Sequence, residues 1–267
     1  MSGATRSTAP APAGDPIAAA SLPEARKVVG WGLAFWGVGQ LAMAVFWRNA
    51  TALVAVQAAL AEWGAGRIGI AWSDPLADVP TWRQIGRRAG LGAALGASAA
   101  GVAIAVAFLT RTAAWAAPRP VASALAVSFV IAVLTAIRDE LLLRGVVLRA
   151  TRGLLPWWAA LAACGAAAAA ARWGLEGAVT LALAVEALRG VALAGVWVRD
   201  RGAWMAVAAN TAWTWGLGGL VHGGLLDLRF ATEADAGVPA LVAAAGAGLA
   251  ALAATATTAA RVFAART

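Results

Sequence analysis

Charge is scarce in this chain: only 13% of its 267 residues are Asp, Glu, Lys or Arg, while 61% are hydrophobic. A water-soluble domain carries about 25% charged residues, so that class is excluded at the first step. Cysteine and histidine are nearly absent, with Cys164 and His222 the single examples. One cysteine forms no disulfide framework, and one of each makes no constellation of zinc-site size. A conventional zinc hydrolase is therefore not expected, and neither is any other metal or cofactor. The strict polar and apolar alternation of a membrane β-barrel is also missing. The basic excess, 21 Lys and Arg against 13 Asp and Glu, is dispersed in small groups between apolar runs. That pattern reads as topology signals, and nucleic acid is not an expected partner.

What is present is a series of long Ala, Leu, Val and Gly blocks. A span needs about 20 apolar residues to cross a hydrocarbon core roughly 30 Å thick, and helices satisfy every backbone group in lipid. The expected fold is an all-α polytopic bundle of about eight spans, at about 28–47, 51–71, 89–110, 121–143, 156–172, 178–198, 203–222 and 239–260. The second is the weakest, because Glu62 and Arg67 fall inside it. Residues 1–24, rich in Ala, Pro, Ser and Gly, read as a disordered tail before a membrane domain over 25–267.

Basic residues collect on alternate segments. Arg26 and Lys27, then Arg83, Arg87 and Arg88, then Arg149 and Arg152, then Arg199 and Arg201, and last Arg261 and Arg266 fall on one side. The positive-inside rule makes that side cytoplasmic, with both termini there. The Ala-rich blocks and the preference for Arg over Lys suggest a bacterium with a GC-rich genome, hence its cytoplasmic membrane. Tryptophans such as Trp31, Trp72, Trp158 and Trp173 lie near span ends and serve as interfacial anchors. Gly86-x3-Gly90 and Gly190-x4-Gly195 have spacings that allow close helix contact, without functional meaning of their own.

Ionisable residues are the informative ones in such a background, since each is costly in lipid unless paired or facing a cavity. The densest group is Arg138-Asp139-Glu140, followed by Arg144, at the end of span four. Glu140 and Arg144 are i,i+4 and share a helix face, whereas Asp139 points about 100° away. A span ending near residue 138 would instead leave the group solvated at the surface. Two further pairs, Arg172 with Glu176 and Glu186 with Arg189, have the spacing of self-neutralised intramembrane pairs, which is favoured over a proton or substrate site.

The string Asp139-Glu140-Leu-Leu-Leu-Arg144-Gly145 resembles the Glu-Glu-x-x-x-Arg motif of the CPBP family of intramembrane proteases, which includes the type II CAAX prenyl endopeptidases. The likeness extends in order over about 120–220. Pro156-Trp157-Trp158 resembles the start of the next family span, and Gly190 to Trp204 the helix, turn and helix start before the third motif. The resemblance implies that Asp139 is a general base acting on water, with Glu140 and Arg144 as its supporting pair. It places Ala168 and Arg172 where the family has Phe-x-x-x-His, and Asn210 and Thr214 where it has His-x-x-x-Asn. Both histidines are thus replaced, although Arg172 and Asn210 remain hydrogen-bond donors able to face an oxyanion, and Thr214 supplies a hydroxyl. His222, 12 residues and about 18 Å beyond Asn210 along a continuous helix, is no substitute.

Two functions follow from the resemblance. One is a divergent intramembrane endopeptidase hydrolysing a peptide bond of a membrane-associated substrate. The other is an inactive relative that keeps the fold as a membrane binding or scaffold protein. A small transporter is a third reading, disfavoured because no internal repeat is evident.

Overall fold

Runs of Ala, Leu and Val favour helix, and helix is what most of the described residues adopt. The computed structural model describes residues 21–46, 48–73, 80–115, 121–176, 181–220, 228–230 and 233–264. Eight helical rods lie among them. They are α1 (Leu22–Phe46), α2 (Ala50–Arg67), α3 (Trp82–Leu109), α4 (Ala122–Asp139) continuing into α5 (Val146–Thr151), α6 (Trp157–Glu176), α7 (Leu181–Asp200), α8 (Trp204–Thr214) and α9 (Glu233–Ala264). A wider π-helical segment, Glu140–Gly145, joins α4 to α5, and another, Trp215–Leu220, extends α8. Two short strands, β1 (Ala113–Trp115) and β2 (Leu228–Phe230), pair antiparallel.

Three of the rods are long and apolar enough to cross a membrane: Trp82–Leu109, Leu181–Asp200 and Gly237–Ala256 within α9. Their most apolar windows are only 28%, 39% and 22% buried within the chain itself. Much of their apolar surface is therefore turned outward, as hydrocarbon solvent requires and water does not.

Local chemistry moves several boundaries. Ser21 accepts from the Glu24 amide, and Pro23 falls in the first turn, where its missing N–H is no loss, so α1 begins at Leu22, inside the expected tail. Residues 1–20 of that tail lie outside the described residues. Thr81 and Gln84 form a reciprocal capping box, which starts α3 at Trp82 and carries Arg83, Arg87 and Arg88 into its first turns. Past α2 the chain turns at Gly69, whose φ of +71° suits glycine.

Close contacts fix how the rods run. Gly92 and Gly96 of α3 pack against the Met205 and Ala209 carbonyls of α8, and Gly216 follows against Ala100, so these two helices are parallel. Leu181 with Gly237, Leu188 with Gly248 and Gly195 with Ala251 make α7 and α9 parallel in the same way. Antiparallel pairs are α1 with α2, through Phe35 at Gly64 and Gly39 at Gln57, and α4 with α8, through Leu125 at Trp215 and Glu140 at Asn210. Of the glycine spacings singled out in the sequence, Gly190 and Gly195 do close contacts, with α6 and α9. A methyl group at Gly86 or Gly90 meets nothing within 4 Å.

Polar contacts gather at one end of the bundle. Glu24 of α1 pairs with Arg149 of α5 at 2.6 Å, Arg88 of α3 with Asp200 of α7 at 3.4 Å, and Trp72 stacks near Trp204 with ring centroids 4.6 Å apart. The Ala203 amide donates to the Trp72 carbonyl at 3.0 Å, tying the segment after α2 to the turn before α8. The groups Arg26 and Lys27, Arg83 to Arg88, Arg149 and Arg152, and Arg199 and Arg201 all belong to this end; Arg261 and Arg266 have no described side chains.

Gly96→Ala tests the packing, because its methyl group would lie against the Ala209 carbonyl. Thermal unfolding in detergent should show a loss of about 1–3 kcal/mol. Gly101→Ala, with open space at the same helix, should be neutral or stabilising by up to about 1 kcal/mol.

Candidate functional site

The α4 helix does not stop at Arg138. Its helix passes through the π segment to Thr151, and Asp139, Glu140 and Arg144 are buried, which removes the solvated alternative. The wider turn places an extra residue in the coil and so re-aims the side chains after it. Gly145 at its end leaves room for Ile70, whose Cγ2 would be 3.0 Å from a methyl group there.

Glu140 is completely buried at the meeting of three rods. Asn210 Nδ2 of α8 donates to Oε1 at 2.8 Å and Trp197 Nε1 of α7 donates to Oε2 at 2.9 Å. Arg144 Nη1 stands 3.5 Å from Oε1 on the same helix. Each carboxylate oxygen thus has a donor, as a buried anion requires. Thr214 donates to Asn210 Oδ1 at 3.3 Å, which holds the amide with its NH2 toward Glu140. Sequence reasoning gave Asn210 to an oxyanion beside Asp139; the fold gives it to Glu140.

Asp139 faces the other way. Arg138 grips its Oδ1 through Nε and Nη2, each at 2.7 Å. The guanidinium also donates to Gln57 Oε1 at 2.7 Å and lies 5.7 Å from the Trp36 ring centroid. Gln57 in turn donates to the Gly39 carbonyl at 2.9 Å. The void beside Arg138, Gln57 and Leu142 has no room for a water molecule. Asp139 is therefore held in a polar chain toward α1 and α2, back to back with Glu140.

Arg144 is nearly inaccessible, and among the described residues none of its guanidinium nitrogens meets an acceptor with hydrogen-bond geometry. Its charge is nevertheless balanced, since Glu140, Asp139 and Glu186 all lie in electrostatic range. Glu186 and Arg189 do pair, at 3.1 Å, and Arg189 reaches into the field of Glu140. The two clusters that looked separate along the chain are one neighbourhood. Arg172 is exposed on α6, eight residues or about 12 Å beyond buried Cys164, the α6 residue within range of Arg144. Ala168 is buried against Gly190. The side chain of Glu176 and all of His222 lie outside the described residues.

Sequence reasoning missed Trp197, Gln57 and Trp36. Gln57 carried a usable signal, as an amide in an otherwise apolar stretch of α2. Trp197 carried none, because a tryptophan near a span end is first an anchor. No protein-family model, curated protein or solved structure matches this chain.

Removing Glu140 alone strands the Arg144 charge, so Glu140→Ala should cost about 3–5 kcal/mol in denaturant unfolding from micelles. The joint replacement Glu140→Leu with Arg144→Met should recover most of that loss. Trp197→Phe, which deletes one donor to the carboxylate, should cost about 1.5–3 kcal/mol.

Proposed function

We propose that the chain is an eight-span membrane protein of the CPBP type that binds a membrane-associated peptide or protein without cleaving it. The commitment of the acidic pair carries this reading: the two Glu140 oxygens accept from Asn210 and Trp197 with Arg144 3.5 Å away, and Asp139 Oδ1 is held by Arg138. A general base needs a lone pair aimed at a water, and Asp139 Oδ1 is spent on Arg138. Replacement of both family histidines by Arg172 and Asn210 points the same way, as Arg172 sits exposed and Asn210 is engaged with Glu140.

Eight spans are supported by the alternation of rod directions and by the collection of arginines at one end of the bundle. The positive-inside rule makes that end cytoplasmic, with both termini on it, in the cytoplasmic membrane of a bacterium. The contacts of α2 with α1 on one side, and with the α4 to α5 junction on the other, favour a full second span despite Glu62, which accepts from Trp72 near the bundle end.

Intramembrane endopeptidase activity is the second reading. It is favoured by the unengaged donors of Arg144, a buried cation beside an acidic pair, which is the kind of group that stabilises a developing oxyanion. There Asp139, released by Arg138, would take the proton of an attacking water.

The purified protein in lipid nanodiscs, incubated with a library of membrane-anchored peptides, separates the two. Capture of a peptide subset with equal, background-level cleavage by the parent and Asp139→Ala is expected. Cleavage by the parent that falls at least 10²-fold in Asp139→Ala would establish the protease instead. Topology is checked by single cysteines placed in a Cys164→Ala background: probes at positions 2 and 266 should be labelled from the same, cytoplasmic side.

A further inference from the structure

The two glycine-mediated pairs, α3 with α8 and α7 with α9, leave a cleft of about 460 Å³ between them. Its floor is apolar and buried, formed by Ala192, Leu193, Ala209 and Trp213. Its lips are Leu95, Ser98 and Val102 on α3 and Gly246 and Ala250 on α9, all exposed, so it opens sideways toward the surrounding solvent. In a membrane-spanning bundle that solvent is hydrocarbon.

Two arginines mark the ends. Along α7 the lining runs from Arg189 to Arg199, ten residues or about 15 Å. That is half of a hydrocarbon core roughly 30 Å thick, the depth of one leaflet. Arg189 closes the deep end with its charge neutralised by Glu186 at 3.1 Å. Arg199, at the Arg-rich end of the bundle, is exposed, and among the described residues no carboxylate pairs with it; the nearby Asp200 is taken by Arg88. Length and charge select the occupant: an alkyl chain one leaflet long reaches from Arg189 to Arg199, and the exposed Arg199 guanidinium offers its charge to a headgroup phosphate.

We propose that this cleft holds one acyl chain of an anionic phospholipid from the leaflet at the Arg-rich end, with the lipid phosphate against Arg199. The inference rests on the membrane-spanning arrangement and not on whether the charged cluster is catalytic.

The full chain, purified in mild detergent, is examined by native mass spectrometry with phosphatidylglycerol, with phosphatidylcholine of the same chains, and with soluble glycerol 3-phosphate. Phosphatidylglycerol should bind about five-fold more tightly than phosphatidylcholine, the effect of one arginine near an anionic headgroup, and glycerol 3-phosphate should not bind. Arg199→Gln should abolish that preference while keeping the chain-dependent binding. Ala250→Phe and Ser98→Phe, which block the cleft from opposite lips, should each lose both lipids at unchanged helicity.

Equal affinity for the two lipids in the parent overturns the anionic assignment, and undiminished lipid binding by both blocking variants overturns the site. A dimer that Ala250→Phe dissociates would give the cleft to a second copy instead. Release of the protein from membranes by alkaline carbonate would fail the spanning arrangement itself, and is read separately.

Discussion

A carboxylate and a guanidinium enclosed in apolar helices set the terms for the rest of the bundle. Glu140 cannot sit ionised in that interior unless several donors converge on it. Two donors come from other rods, Trp197 from α7 and Asn210 from α8, and the Arg144 cation stands 3.5 Å away on its own rod. Apolar helices in lipid gain nothing from hiding apolar surface from one another, so packing and interhelical hydrogen bonds must choose the register. Here the polar hub defines one level at which α4, α7 and α8 meet. The π segment at Glu140–Gly145 is the local adjustment that brings Glu140 and Arg144 to it.

Small residues do the remainder of the packing. Gly92 and Gly96 bring α3 onto the α8 backbone, and Gly195 brings α7 onto α9, each where a methyl group would collide. The same smallness has a second effect where the pairs face each other. Alanine side chains are too short to fill all of the space between the pairs, and the cleft from Arg189 to Arg199 is the result. Tight pairing and an open slot are therefore two consequences of one composition.

The cluster has two faces with different chemistry. On one, Glu140 joins α7 and α8; on the other, Asp139, Arg138 and Gln57 join the fourth rod to α1 and α2. Two adjacent acidic residues thus stitch opposite halves of the bundle. The family resemblance implies a supporting role for the pair Glu140 and Arg144, which here stand 3.5 Å apart. It implies a base role for Asp139, which Arg138 occupies. An oxygen that accepts twice from Arg138 is not offered to a water, which is the observation behind the proposed binding role.

The helical class and approximate rod boundaries were legible in the sequence, because apolar length and the placement of Arg and Pro are local properties. The i,i+4 pairing of Glu140 with Arg144 was legible for the same reason, as was that of Glu186 with Arg189. Ser21 and Thr81 show the limit of that legibility, since their caps extend two helices beyond their apolar runs. Which donors meet Glu140, that the Glu186 pair shares its field, and that Arg172 stands apart on α6 were decided only when the rods packed. Those contacts join residues such as Gln57 and Arg138, or Glu140 and Asn210, that are far apart in the chain. No periodicity encodes which faces of two helices meet, and burial of the charge by several helices at once is a property of the assembled bundle.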